Sequence, residues 1–395
     1  MNNLKASRKM EFMGFRRKDG SVGTRNYVGI FSTVLCANEV AENISREVNG
    51  TAYFVHNAGC CQTPPDIRRT EDVLIALGKN PNLRSVLLVS LGCESTIVSR
   101  VSEEIAKTGK RVEVLVIQDV GGSKKCVGEG MVLAERMAAD ARQARRERCP
   151  AGDMVLGLKC GASDTISGLV PNPALGLASD LHVAAGGTSI LGEVTEFIGA
   201  EHILAAHAAT PEIAQKIYGL VSRMEARAKS MGTDIRGGQP TEGNIKGGLT
   251  TIEEKSLGAI AKAGTAPIIE VCEYGVRPSR KGLVVMDSPG REAEILTGLA
   301  AAGCNVICFS TGRGAPQGFS FVPVIKVSGS KTAMVKMCSH IDLDLSDVLE
   351  GGLSLSAAAD LIYEEMLSVS SGTLTKSEIS GYTHAMGIYT LGPVI

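Results

Sequence analysis

Residues 155–168, VLGLKCGASDTISG, read as a buried β-strand that halts at Cys160 and runs on into small and polar residues. Small residues at a strand end let a ligand, or a tightly packed turn, approach the backbone closely. The same punctuation closes two earlier apolar runs, FVHNAGCC at Cys60 and VSLGCES at Cys93. Around these stretches, short β-branched or apolar runs alternate with longer helical patterns, which marks an α/β protein with mainly parallel sheets. Strands are expected at 27–33, 52–56, 86–91 and 112–117, separated by helical patterns such as 66–78 and 97–108. Each interval is long enough for a right-handed crossover helix.

A basic, polar, helical stretch at 135–153, ERMAADARQARRERCPAGD, ends in a Pro-Ala-Gly break. The boundary between an N-terminal α/β domain, 1–150, and a second α/β domain, 151–395, is placed there. The second half restarts with a strand at Met154 and continues with strands at 189–192, 268–272, 283–286, 306–309 and 324–327. Residues 232–250, GTDIRGGQPTEGNIKGGLT, look too irregular for an element and long enough for a functional loop.

Composition narrows the function. With 395 residues, 44% hydrophobic and 21% charged, the chain is ordinary globular protein and long enough for two cores. Lys and Arg number 41 against 42 Asp and Glu, so no overall positive field favours nucleic acid or anionic membrane. The basic opening has no apolar core behind it, no run approaches the length of a membrane span, and a cytoplasmic location is expected. Eleven cysteines without a secretion signal point to reduced thiols. Absent tryptophan and 4% aromatics leave hydrogen bonds and charge to hold a polar ligand.

Several constellations carry possible chemistry. Ligands of open parallel sheets bind beyond the carboxyl ends of the strands, so Cys60, Cys93 and Cys160 are candidates to converge on one site holding a soft metal. The alternative is three small buried hydrophobes in turns. In GEVTEFIGAEHILAAH, Glu193 and Glu196 stand three apart, as a pair on one helix face would, and suit a divalent cation or acid–base work; a solvated helix face is the plain alternative. Lys255 follows the glycine-rich loop and suits a substrate carboxylate or proton transfer. Thr311 and Arg313 follow an apolar run, with glycines on both sides of the arginine, a setting for a bidentate grip on carboxylate. Neither a P-loop nor a G-x-G-x-x-G fingerprint is present.

Taken together, DGSVGTRNYV at 19–28, HNAGCCQ at 56–62, LGCE at 91–94, KCGASDTISGLVPNPALG at 159–176, GEVTEFIGAEHIL at 192–204, PTEGNIKGGLTTIEEKSLG at 240–258 and FSTGRG at 309–314 resemble the altronate/galactarate dehydratase family nearly end to end. The resemblance implies a Rossmann-like second domain, a possible dimerisation role for the first, and a dimer. It implies dehydration of a sugar acid to a 2-keto-3-deoxy acid, with iron, as Fe2+ or an iron–sulfur cluster, for cofactor. Longer members carry a small β-rich SAF domain that does not appear in this sequence, so a separate small SAF-domain subunit is the expected partner. Lys255, His56 and Asp164 are then the candidates for catalysis. Ser163, Asn172, Asn244, Thr311 and Arg313 would grip substrate, and Cys60, Cys93, Cys160, Glu193 and Glu196 would hold metal. A sister branch eliminates sulfite from sulfolactate; the thiols at Cys60 and Cys93 and the Arg313 guanidinium set this chain apart from it. LVPNP at 169–173 departs from the family pattern and leaves the substrate open, and a non-catalytic α/β binding protein is the reading from another class.

Overall fold

The computed structural model describes residues 10–393, and the strands among them fall into three sheets. Two short strands come first, β1 (Glu11–Arg16) and β2 (Val22–Gly23). A four-stranded parallel sheet follows, from β3 (Tyr27–Ser32), β4 (Thr51–Phe54), β5 (Leu83–Ser90) and β6 (Arg111–Val116), in the order β4-β3-β5-β6. Helices Asn38–Glu47, Pro64–Lys79 and Val98–Ala106 make its crossovers. The period-two alternation of β3 and β5 divides the core. Val28, Ile30, Leu87 and Val89 pack towards Asn38–Glu47 and Ser123–Gln143, whereas Phe31, Val86 and Leu88 pack towards Pro64–Lys79. Each such side chain, once fully buried, contributes roughly 1.5–3 kcal/mol.

After β7 (Glu147–Pro150), the chain builds a seven-stranded, wholly parallel sheet. Its strands are β8 (Val155–Gly161), β9 (Thr188–Leu191), β10 (Ile268–Cys272), β11 (Leu283–Met286), β12 (Val306–Thr311), β13 (Val324–Ser328) and β14 (Leu343–Asp344), in the order β10-β11-β9-β8-β12-β13-β14. Leu156 and Leu158 of β8 face a core shared with helices Pro171–Ala184 and Leu355–Ser370. On the opposite face, Ile307 and Phe309 of β12 join helix Glu292–Ala301, and that cluster continues into the Pro64–Lys79 helix of the first sheet. One apolar layer therefore joins the two parallel sheets.

The α/β class and the parallel strands stand as expected, with most strand ends shifted by one to three residues. Four strands were not foreseen. β1 pairs antiparallel with β2 and with β7, forming the third sheet, and β14 adds to the edge of the large sheet. The stretch expected to be helical up to Pro150 is helical only to Gln143 and then extends as β7, because its Cys149 is buried opposite Phe12 of β1. A partner more than 130 residues away leaves no local periodicity to read. The loop 232–250 also contains a short helix, Glu242–Lys246, closed at its start by a Thr241–Asn244 capping box.

Candidate active site

Along the large sheet, the connections run one way from β8 to β9 and the other way from β12 to β13, so the winding reverses between the neighbours β8 and β12. Side chains beyond the carboxyl ends of such a pair face an open crevice. A pocket of about 260 Å³ lies there, lined by Ser163, Asp164 and Asn172 after β8 and by Glu254, Lys255 and Ala259 of helix Ile252–Ile260. Two glycines make room for Asp164. A Cβ at Gly312, just after β12, would overlap the Asp164 carboxylate, and one at Gly247 would stand 2.7 Å from Asp164 Cβ. Ala162 adopts φ +49°, a left-handed conformation costly for a residue with a Cβ, at the turn that delivers Ser163 and Asp164.

Asp164 Oδ1 accepts the Ser167 amide at 2.7 Å, capping helix Thr165–Leu169, while Oδ2 has no hydrogen-bond partner among the described residues. Burial holds its carboxyl above the usual range, against the Ser167 hydrogen bonds and the Arg313 charge. Arg313 is exposed at the rim and donates to the Gly243 carbonyl at 3.0 Å. Lys255 Nζ donates to Gln239 Oε1 at 2.8 Å and pairs with Glu196 Oε1 at 3.2 Å; Glu196 Oε2 is buried without a hydrogen-bond partner among the described residues. Asn172 lines the pocket, but its amide is committed, donating to the Gly258 carbonyl and accepting from Ser310 Oγ. Asn244 donates to the Ser163 carbonyl at 2.9 Å and so ties the glycine loop to the strand end without lining the pocket. Thr311 is buried and accepts the Gly314 amide at 3.0 Å, a turn contact rather than a substrate contact.

Beneath the pocket lies a cluster whose central lysine the sequence did not single out. Alternation puts Lys159 and Cys160 on opposite faces of β8, yet both reach Glu193. Its Oε1 accepts Lys159 Nζ at 2.6 Å, and its Oε2 accepts the Cys160 amide at 2.9 Å and pairs with Lys262 Nζ at 3.1 Å. Lys159, Glu193 and Lys262 are all fully buried. Burial opposes each charge, but mutual attraction wins: both lysines stand above their usual range and Glu193 below its own. Glu193 is held at φ +69°, the third non-glycine residue in the left-handed region after Cys61 and Ala162. The expected helix face shared by Glu193 and Glu196 is thus replaced by separate ion pairs, Glu193 with Lys159 and Lys262 and Glu196 with the half-buried Lys255, because Glu193 precedes a single 3₁₀ turn, Val194–Glu196. The signals for Lys262 were its position inside the apolar run GAIAKAGTAP and its burial beside Cys160, of which only the first is visible in sequence.

Models of known families match both halves of the chain. Residues 14–142 match the second domain of D-galactarate dehydratase/altronate hydrolase, and residues 151–394 match the C-terminal region of D-galactarate/altronate dehydratase. The chain belongs to the galactarate/altronate dehydratase family. Altronate dehydratase of Bacillus subtilis is 35% identical over 379 residues, covering 93% of this chain and 75% of that protein. Galactarate dehydratase (L-threo-forming) of Escherichia coli is 32% identical over 406 residues, covering 97% and 77%. The (2R)-sulfolactate sulfo-lyase subunit beta of Chromohalobacter salexigens is 35% identical over 373 residues, covering 94% of this chain and 95% of that one. The hydro-lyase class expected from the motifs stands.

Cys160 of this dehydratase-family chain does not share a site with Cys60 and Cys93. Cys60 and Cys93 are exposed on loops of the four-stranded sheet, whereas Cys160 is buried on β8. Among the described residues, no three His, Cys, Asp or Glu side chains are grouped to hold a metal ion. Cys160 is also a poor cation ligand where it stands. Burial and Glu193 push its thiol up to about 12, and Lys262 Nζ lies 3.2 Å from its sulfur. A metal there would meet an ammonium, so the donor set does not fit the expected iron, and no chemical step is assigned to it. His56 does not line the pocket either. It is buried in the first sheet, its Nε2 donating to the Ser32 carbonyl and its Nδ1 accepting the Ala58 amide, and burial lowers its pKa to about 4. Of the thirteen candidates, Ser163, Asp164, Asn172 and Lys255 line one pocket. Asn244 and Glu196 support it through direct contacts, while Arg313, bonded to the Gly243 carbonyl, reaches Asp164 through its charge. No helix among the described residues is long and apolar enough to cross a membrane.

Proposed function

We propose that this chain is the large subunit of an enzyme that removes water from a 2,3-dihydroxy sugar acid such as altronate or galactarate, leaving an enol that tautomerises to a 2-keto-3-deoxy acid. The observation that carries the reading is the gathering of Asp164 and Lys255 in one pocket above two buried ammoniums and one buried carboxylate, in a chain of the dehydratase family. Lys159 and Lys262 outnumber Glu193 in the buried cluster, and that local positive charge suits an anionic substrate and the enediolate formed when the proton α to its carboxylate is lost. Lys255, oriented by Glu196 and Gln239, takes the α-proton on its amine. Asp164, whose carboxyl burial holds above its usual range, is the group that gives a proton to the departing hydroxide. Arg313 meets the carboxylate at the rim.

The sulfolactate relative, matched over 95% of its own length, supports a second reading, release of sulfite from a sulfo-acid. That relative is itself named a subunit, which supports the proposed small SAF-domain partner; a homodimer belongs to the same proposal. The two readings separate in one screen. Altronate, galactarate and sulfolactate are offered to the chain with a small partner subunit, ferrous iron and reductant, and both 2-keto-3-deoxy acid and sulfite are measured. The dehydratase reading expects keto-deoxy acid from a sugar acid and no sulfite. Sulfite release alone would replace it with the second.

A further inference from the structure

Four of the chain's cysteines project from one edge of the molecule that the dehydration chemistry leaves unused. The four-stranded sheet has its own reversal of winding, between the neighbours β3 and β5, since β4 follows β3 on one side and β6 follows β5 on the other. Its open crevice, like that of the large sheet, lies beyond the carboxyl ends. The loop after β3 carries Cys36, the loop after β4 carries Cys60 and Cys61, and the loop after β5 carries Cys93. All four are exposed, and the remaining exposed cysteine, Cys338, lies elsewhere in the chain. Backbone bonds tie the loops together: Leu35 donates to the Ala58 carbonyl and Ser95 to the Gly59 carbonyl, each at 3.0 Å.

Within this edge, the Cys60 and Cys61 sulfurs stand 3.7 Å apart. Cys60 raises the Cys61 thiol above its usual range, and Cys36 adds to this in smaller measure, so the three sulfurs share one neighbourhood. The Cys61 backbone is held at φ +52°, a conformation that non-glycine residues adopt at a cost and that recurs at functional sites. Beside the pair opens a pocket of about 580 Å³, lined by Gln62, Arg68, Glu71, Ser95 and Arg100. Arg100 is engaged by Glu71 and Asp72 at 2.6 Å each. Arg68, exposed on the lining of this pocket, makes no hydrogen bond or ion pair among the described residues, so its charge is free to meet a ligand there.

We propose that this edge is a second site, a vicinal dithiol that reacts with a small disulfide bearing carboxylates and closes into an internal Cys60–Cys61 disulfide. One thiolate of the pair attacks a sulfur of the small disulfide, whose S–S bond breaks and whose first half leaves as a thiolate and takes a proton. The second cysteine, as its thiolate, attacks the mixed disulfide and expels the other half. Two electrons and two protons pass from the protein pair to the small disulfide, and the sulfurs close from 3.7 Å to about 2.0 Å. Arg68 supplies the charge that draws the carboxylates in.

The test treats the whole native chain with glutathione disulfide, alkylates the remaining thiols and weighs the peptides, with Cys338 as the exposed control. The expected result is a peptide holding Cys60 and Cys61 that has lost two hydrogens, retains no glutathione, and forms faster than any adduct at Cys338. In the Cys60→Ser and Cys61→Ser variants the reaction should stop at a glutathione adduct. Arg68→Glu should slow closure roughly three- to tenfold at low ionic strength and leave Cys338 unaffected. Separate adducts on both cysteines with no internal disulfide, or reaction no faster than at Cys338, would overturn the proposal. An Arg68→Glu rate equal to wild type would overturn the carboxylate recognition.

Discussion

A lysine inside an apolar strand must find a partner, and Lys159 finds Glu193, which in turn neutralises Lys262 from its other oxygen. The arrangement makes an asymmetric prediction. Glu193→Gln leaves Lys262 without its carboxylate partner and Lys159 with only Glu292 at 3.9 Å, and should destabilise the fold by roughly 3–5 kcal/mol, the range for breaking a buried pair. Lys262→Met leaves the Lys159–Glu193 pair intact in a site that accepts an apolar chain, and should cost less. Urea unfolding of both variants checks the order; equal stabilities would show that the cluster does not depend on Glu193. At this scale the sequence was legible where polar residues followed a strand end: Ser163, Asp164 and Asn172 after β8 stand out because a core has no use for them there. Lys262 left only its place inside an apolar run as a signal, and its role was not legible because its partner lies 69 residues earlier.

At the scale of elements, the strands of both parallel sheets were readable because strands buried on both faces appear as continuous apolar runs. Strands β1 and β7 were not, since each buries one face and pairs across the chain. The three cysteine-ended strands show the limit most clearly. Every parallel strand delivers its loop to a carboxyl edge, so Cys60, Cys93 and Cys160 carry the same local signature. Nothing local says that the first two belong to one sheet and the third to another. The short helix Glu242–Lys246 was masked by its glycines, although Thr241 and Asn244 at capping-box spacing were its available signal.

Across the whole molecule, two histidines are buried in the neutral form, His56 in the first sheet and His182 under the second, each with its pKa lowered by burial to about 4. An unfolded chain takes up those protons near pH 6.5 and the folded chain does not, so stability is full above that pH and falls as the pH drops from about 6.5 towards 4. The loss reaches at most roughly 3 kcal/mol per histidine. Asp164, Asp287 and Asp342, whose carboxyls burial holds above their usual range, offset part of it. Urea unfolding at pH 7 and pH 5 should show the decline, and equal stability at both would contradict the neutral histidines.

The central claim is that the crevice between β8 and β12 is where the sugar acid loses water, and Asp164 is its most exacting probe. Asparagine is close in shape and caps a helix as well as aspartate, so Asp164→Asn keeps helix Thr165–Leu169 while removing the proton donor. The measurement is kcat/KM for dehydration of the sugar acid, beside the melting temperature of the same variant. The account predicts a fall of about 100-fold or more with the fold unchanged, the scale of a lost general acid. A folded Asp164→Asn chain with wild-type kcat/KM would place the chemistry elsewhere.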